Sequence, residues 1–147
     1  MWFVRPVQQF RLPGTGLEFV HVRVPLTVVG SRRRPVTGYF RFDTGCQITT
    51  VSEDVAAGFG LPAGGPRINV GGSTGTGPGR LVPVRFRFPT SPSGPGLVVN
   101  STWIVTSGRA GVALLGFQEV HRHFQVRTEQ FEMWFVPWPK PVGTSPP

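Results

Sequence analysis

Residues 39–52 read Tyr-Phe-Arg-Phe-Asp-Thr-Gly-Cys-Gln-Ile-Thr-Thr-Val-Ser. An apolar run leads into Asp43, a glycine follows two positions later, and hydroxyl side chains dominate the segment after it. An aspartate in this setting either holds its own turn through backbone hydrogen bonds or works as an acid or base. The choice between these two roles depends on the rest of the chain.

The segments on both sides of this stretch predict an all-β chain. Apolar and polar residues alternate over 20–28, which indicates a strand, and an exposed loop is expected from Gly30 to Pro35. A second strand from Thr37 to Phe42 delivers Asp43 at its end. A short helix is expected over 52–60, because Ser52 suits the N-cap, two acids follow it, and Gly60 suits the stop.

A glycine-rich segment, residues 71–79, lies between two mixed apolar runs and predicts a long hairpin with a mobile tip. A second loop is expected from Pro89 to Gly96. Val126 and Thr128 are out of register with Phe131, Met133 and Phe135, so we expect one strand with a bulge there. The other expected elements are strands over 97–105 and 112–116, one or two helical turns over 117–124, and that bulged strand over 125–135.

Length and composition indicate one packed domain. The chain has 147 residues with 12 Phe and 4 Trp, too many large aromatic side chains for a disordered chain. We expect a folded domain over residues 1–136 and a proline-rich, disordered tail over 137–147.

The charge pattern and the single cysteine bear on partners and compartment. The net charge is +8, but apart from Arg32-Arg33-Arg34 the arginines are scattered, so nucleic acid is an unlikely partner. Cys46 has no second cysteine to pair with, which favours a reducing compartment. The first residues lack the apolar core of a signal peptide and no apolar run spans a membrane, so we expect a cytoplasmic protein without membrane contact.

Asp43 and Asp54 are the two aspartates of the chain. Asp54 is explained by the first turn of the predicted helix, whereas Asp43 is not. A mechanism in which two carboxylates activate a water needs one ionised and one protonated acid close together. Because Asp-Thr-Gly occurs once, the partner of Asp43 would have to come from a second copy of the chain.

The order of elements from Leu17 to Phe135 resembles a known family. Phe42 to Ser52 is similar to the catalytic loop of the retropepsin-like aspartic proteases, residues 67–84 to their flap hairpin, and Ala113-Leu114-Leu115-Gly116 with the helical turn after it to their second glycine motif. The likeness is greatest to the cellular branch, the retroviral-like domain of DNA-damage-inducible proteins and its bacterial relatives. It implies an acid-protease fold, a closed, barrel-like single lobe with one or two short helices.

The resemblance also implies roles for individual residues. Asp43 would be half of a catalytic dyad completed by a homodimer, and Thr44 would hydrogen-bond the partner near its own Asp-Thr-Gly. Gly45 would allow a close turn and offer its carbonyl to an extended peptide or protein substrate. Neither a cofactor nor a metal is implied. We also expect Gln47, Gly71, Gly72 and Ser73 to bind substrate, although the flap is longer and richer in glycine than in viral members and does not match theirs residue by residue.

The chain departs from the family pattern at Cys46, usually alanine, and at Phe117, where viral members carry an arginine that ties the dimer together. Gln47 replaces the aspartate that receives that arginine. Two other functions therefore stay open, a catalytically inactive module for dimerisation or peptide binding and a basic β-domain that binds nucleic acid. The tryptophans near the termini belong either to the core or to a dimer seam, which the resemblance favours; they are Trp2, Trp134 and Trp138.

Overall fold

The computed structural model describes residues 2–72, 75–91 and 94–139. Over these residues the chain forms ten strands and two short helices, so the all-β prediction is confirmed. In chain order they are β1 Phe3–Arg11, β2 Glu18–Val28, β3 Val36–Asp43, β4 Thr50–Ser52, α1 Glu53–Phe59, β5 Arg67–Gly72, β6 Gly75–Arg87, β7 Val98–Thr106, β8 Ala113–Gly116, α2 Phe117–His121, β9 Phe124–Thr128 and β10 Glu132–Pro137.

The alternating pattern of β2 becomes a strand with one buried face. Every second side chain from Val22 to Val28 is buried, whereas Arg23 points to solvent. The pattern weakens at the start of the strand, where Val20 is exposed. Because successive side chains of a strand point to opposite faces, this period fixes which face of β2 joins the core.

The strands pair in the order β5-β6-β7-β4-β8-β3-β2-β1-β10-β9. A further pairing, in which Val28 of β2 lies opposite Phe86 of β6, joins the two sides of this sheet. The result is not a clean barrel, because β5 extends from one side and β1, β10 and β9 from the other. The barrel-like lobe is therefore present with open extensions.

β8 lies between β3 and β4 and determines where Asp43 sits. The β3–β8 pairing is parallel and places Asp43 opposite Gly116, whereas β4 runs antiparallel to β8. The chain must therefore cross the end of β8 between β3 and β4. This crossing is made by residues 44–49.

Aromatic side chains fill the centre of the core. Trp103 is fully buried and contacts three phenylalanine rings, with the centroid of Phe40 at 5.2 Å and that of Phe86 at 5.4 Å. Phe59 brings helix α1 onto the same indole at 6.1 Å. This packing gives a chain with 20 Gly and 16 Pro a well-filled core.

The short helix predicted over 52–60 is confirmed. Ser52 has the extended conformation of an N-cap residue, although its hydroxyl donates to Asp54 rather than capping the helix. Gly60 ends the helix in the left-handed region with φ 74°, a conformation that favours glycine.

The single strand predicted over 125–135 is wrong. The chain turns after Thr128, and β9 and β10 pair antiparallel, with Met133 opposite Thr128. The turn is closed by the amide of Glu129, which donates to the carbonyl of Glu132 at 2.8 Å. The break in register that suggested a bulge is therefore the turn of a hairpin.

The first strand was not predicted. β1 pairs with both β2 and β10, and Phe3 is buried against Phe135 with ring centroids 4.4 Å apart. Trp2 stacks on Trp134 at 5.3 Å within the same chain. β10 includes Pro137, and the indole of Trp138 donates to the carbonyl of His121 at 2.6 Å. The domain end expected at residue 136 stays a prediction.

Among the described residues, neither helix has the length or the apolar character that crossing a bilayer would require.

Candidate functional site

Asp43 is the last residue of β3, and its side chain is about one-third exposed. Strand periodicity places it on the same face as Arg41, while Phe40 points into the core. The sequence thus delivers a carboxylate to the surface at the point where β3 ends.

The turn after Asp43 is held by Asp43 itself. The backbone amide of Gly45 donates to Asp43 Oδ1 at 2.9 Å, and the amide of Cys46 donates to the Asp43 carbonyl at 3.1 Å. The turn role considered for this aspartate is therefore real. The Gly45 amide uses one acceptor position on Oδ1, whereas an ionised carboxylate has about four over its two oxygens. Oδ2 is therefore still available to a second partner.

Hydrogen bonds from the Leu-Leu-Gly segment, residues 114–116, and the residue after it hold the crossing loop in place. The buried amide of Gly116 donates to the hydroxyl of Thr49 at 3.0 Å, and the amide of Phe117 donates to the Cys46 carbonyl at 2.7 Å. A Cβ atom at position 116 would lie 2.5 Å from the backbone of Ile48 and Thr49. Only glycine lets β8 approach the backbone of the crossing loop this closely, so this motif determines the position of the turn after Asp43.

Asp43 and Thr44 line a cavity of about 350 Å³. Among the described residues that line it, Asp43 is the sole carboxylate. The remaining lining is largely apolar, with a histidine, an arginine and a threonine; it consists of Val7, Phe10, Phe19, Val20, His21, Val22, Arg41, Phe42, Thr128 and Met133.

Arg41 is the charged neighbour of Asp43. Its guanidinium nitrogen Nη2 lies 3.9 Å from Asp43 Oδ2, and both side chains are partly exposed to solvent. An exposed pair at this distance contributes little to stability. The contact instead places a cation next to the free carboxylate oxygen.

His21 is a second ionisable side chain close to Arg41. Burial, followed by repulsion from Arg23 and Arg41, lowers the pKa of His21 below its usual value. The neutral imidazole is therefore favoured, and its Nε2 lies 2.9 Å from Gln8 Oε1. Among the described residues at this end of β2 and β3, Arg23 and Arg41 therefore carry the positive charge.

The structure brings some of the predicted site residues together and separates others. Asp43, Thr44 and Gly45 form one turn, and the side chain of Thr44 is exposed. Gly71 and Gly72 belong to β5 and lie opposite Thr76 and Gly75, so the predicted hairpin is confirmed, but neither lines the Asp43 cavity. Ser73 lies outside the described residues.

Gln47 lines a different cavity, of about 510 Å³. That cavity also contains Glu119, a buried carboxylate that sequence reasoning missed. Its oxygens accept hydrogen bonds from Ser101 Oγ at 2.9 Å and from the indole of Trp103 at 3.2 Å. Because Ser101 and Trp103 belong to β7, these bonds fix helix α2 against the core.

Cysteine and histidine side chains, which can act as nucleophiles or metal ligands, also occur in the crossing loop and near α2. Cys46 is half-buried, and its thiol donates to the carbonyl of Ile48 at 2.9 Å. His121 is exposed and His123 is half-buried. Across the described part of the chain, no three metal-ligating side chains come close enough to hold a metal ion.

Within the described part of one chain, Asp43 is therefore the one carboxylate at this turn, partly exposed, beside a hydrogen-bonded crossing loop and a largely apolar cavity. Acid–base chemistry by two carboxylates needs a second such group within hydrogen-bond distance of the same water. A second copy of the chain, related by a twofold axis close to Asp43, would supply it.

Comparison with known proteins identifies the fold. The crystal structure of a retropepsin-like aspartic protease from Rickettsia conorii is similar to this chain with a TM-score of 0.62 and 13% sequence identity. The match covers 92% of this chain and 90% of that one. No protein-family model and no curated protein sequence matches the chain significantly.

The chain thus has the retropepsin-like fold, as the sequence predicted. The narrower resemblance to the DNA-damage-inducible branch receives no support from a family model or a curated sequence and stays a prediction.

Proposed function

We propose that this protein is an aspartic endopeptidase that is active as a homodimer, with one Asp43 from each subunit. The observation that carries the proposal is the position of Asp43 on a surface turn fixed by Gly116, in a chain with the retropepsin-like fold. The apolar cavity beside it has the size and lining suited to peptide side chains.

The proposed chemistry needs only the two carboxyl groups and a water. The ionised Asp43 accepts a proton from the water, whose oxygen attacks the peptide carbonyl carbon, while the protonated Asp43 donates its proton to the carbonyl oxygen. As the tetrahedral intermediate collapses and the C–N bond breaks, the Asp43 that took the water's proton gives it to the leaving nitrogen, and the other Asp43 takes a proton back from a hydroxyl of the intermediate. The products are a carboxylic acid and an amine, and both aspartates return to their starting states.

The neighbouring residues would support this chemistry. Gly45 donates its amide to Asp43 Oδ1 and so orients the carboxyl group, and Thr44 is exposed where a second subunit would reach it. In this proposal the β5–β6 hairpin, with Gly71, Gly72 and Ser73, closes over an extended peptide by strand pairing, and Gln47 contributes to substrate binding.

The test is Asp43→Asn. Asparagine keeps an oxygen that accepts from Gly45 but cannot exchange protons as a carboxyl group does, so we expect cleavage to fall by at least about a hundredfold. Cleavage of a mixed peptide library is followed by mass spectrometry, and the oligomeric state by sedimentation. Glu18→Gln, which makes the same carboxyl-to-amide change at an exposed acid of β2, is the matched control and keeps cleavage. Turnover by Asp43→Asn at the wild-type rate would end the proposal.

A second candidate is a peptide-binding module without turnover. It is favoured by the surroundings of Asp43, because Oδ1 is occupied by Gly45 and Oδ2 faces Arg41. This function predicts that the wild type binds extended peptides but releases no product at acidic or neutral pH. A product sensitive to pepstatin would exclude it.

A further inference from the structure

A second groove adjoins the Asp43 cavity. It has a volume of about 630 Å³ and shares three lining residues with that cavity, Phe10, His21 and Arg41. The two spaces are therefore neighbours on one surface, and Arg41 stands at the boundary between them, 3.9 Å from Asp43.

The groove is lined by cations. Arg23, Arg41 and Arg109 line it, and among its described lining residues there is no aspartate or glutamate. Arg23 and Arg41 are direct cross-strand partners in the β2–β3 ladder. Like charges in opposing positions destabilise a sheet, so the arrangement favours an anion bound between them.

The surrounding elements add positive charge at the rim. Arg5 of β1 donates to the carbonyl of Arg23 at 2.7 Å and lies over the ring of Tyr39, which also lines the groove. Asp43 lines the adjoining cavity, and Asp54 accepts a hydrogen bond from the backbone amide of Gly111, a residue of the groove. Neither of them lines the groove.

The loop that forms the far wall is held in place. Both oxygens of Asp54 accept the amide of Gly111 at 3.1 Å, and the hydroxyl of Ser52 accepts the amide of Val112 at 3.0 Å. Hydrogen bonding to Ser52 and then to Gly111 lowers the pKa of Asp54, so this anchor stays ionised at neutral pH. Arg109 therefore extends from a positioned backbone.

We propose that this groove is a specificity subsite for an acidic side chain of the peptide substrate, a carboxylate or a phosphate close to the cleaved bond. The inference rests on the proposed peptidase function and adds the substrate class. Arginine suits the role because its planar donors bind carboxylate and phosphate in pairs. A peptide that places its scissile bond at Asp43 has side chains within reach of Arg41, and the next space along the surface is the cationic groove.

The experiment uses the homodimeric protein and peptides that differ at one position. At each position flanking the scissile bond, Asp is compared with Asn and phosphoserine with Ser, which separates the two sources of negative charge. We expect kcat/KM to be at least about tenfold higher for the charged member of a pair at one position, the effect expected of a charge-assisted hydrogen bond.

Arg109→Glu should reduce this ratio to one or below. Arg33→Glu, which makes the same charge change in the loop at the other end of β3, is the matched control and should preserve the ratio. Circular dichroism checks that both variants fold, and Arg109→Gln repeats the test without charge reversal.

The outcomes are distinguishable. Cleavage without discrimination in either peptide pair, or an equal loss of discrimination in Arg33→Glu, overturns the subsite and leaves the peptidase proposal standing. Absence of any cleavage defeats the peptidase proposal, and the subsite then stands or falls on whether the wild type binds the charged peptides more tightly than Arg109→Glu does. Salt-sensitive binding of a single-stranded oligonucleotide that Arg109→Glu removes, without peptide discrimination, overturns the proposal and assigns the groove to nucleic acid.

Discussion

Gly116 is the residue on which the geometry of the Asp43 turn depends most. The glycine has an ordinary backbone conformation, so its importance is steric: the backbone of residues 47–49 occupies the space where a side chain would begin. The same amide donates to Thr49, so a displacement would also disturb a buried hydrogen bond. At this scale, a candidate catalytic carboxylate is positioned by the absence of one methyl group opposite it.

Replacing Gly116 by alanine should therefore destabilise the protein. We expect the free energy of unfolding to fall by about 1–3 kcal/mol, the usual cost of forcing a methyl group into a packed site. Urea unfolding of the wild type and the variant measures the difference.

Gly58→Ala is the matched control for that experiment. Position 58 lies in helix α1 with no atom within 4 Å of the added Cβ, so the free energy of unfolding should rise by about 0.5–1 kcal/mol. Equal stability of the Gly116→Ala variant and the wild type would show that residues 47–49 yield easily, against the closely packed crossing loop described above.

At the scale of elements, Arg80 fastens the β5–β6 hairpin to the body of the protein. Its guanidinium donates to both oxygens of Glu53 at 3.0 and 2.9 Å, and to the carbonyls of Pro62 and Gly64 at 2.8 and 2.6 Å. The Arg80 side chain is 14% exposed, whereas that of Glu53 is 52% exposed. The carbonyl contacts therefore matter more than the solvent-screened ion pair.

Arg80→Ala should lower the free energy of unfolding by about 2 kcal/mol, since the hydrogen bonds of a charged and largely covered side chain are lost. Amide hydrogen exchange should also quicken along β5 and the first half of β6. Arg67→Ala, the exposed cross-strand neighbour of Arg80, is the control and should change stability by less than about 0.5 kcal/mol. Equal effects of the two substitutions would show that the hairpin needs no such anchor.

At the scale of the whole molecule, the proposed active site is incomplete in one chain. The proposal therefore predicts that catalysis depends on the association of two copies. Trp2 stacks on Trp134 and β1 pairs with β10, so the N- and C-terminal strands associate within one chain. A dimer interface that includes these strands must use the faces that these contacts leave exposed.

Mixing wild-type protein with Asp43→Asn tests this shared site. If one carboxyl group must come from each subunit, equal amounts of the two chains leave about a quarter of the dimers active after exchange, because subunits associate at random. Adding the variant should therefore lower the rate of peptide cleavage below that of the same amount of wild-type protein alone. Cleavage that stays proportional to the wild-type chains alone would show that each chain carries a complete site.

Much of the fold could be predicted because its information is local. The period of two from Val22 to Val28, and the acids and glycine that bound α1, act over a few residues. The prediction failed over 125–135 because Glu129 and Gln130 lack the glycine or proline that usually marks a turn. β1 was missed because polar residues and Pro6 interrupt it, and Phe3 is its only fully buried side chain.

The Asp43 turn follows from local sequence, since Asp43, Gly45 and Cys46 hydrogen-bond within one short segment. Local sequence also determined the strand that carries Asp43 to the surface. Only the tertiary structure decided that Arg23, Arg41 and Arg109 share one groove beside it. Arg23 and Arg41 face each other on consecutive strands, but Arg109 lies far along the chain, and the parallel pairing of β3 with β8 brings its loop beside them. A parallel pairing joins segments that are far apart in sequence, so no local pattern reveals it.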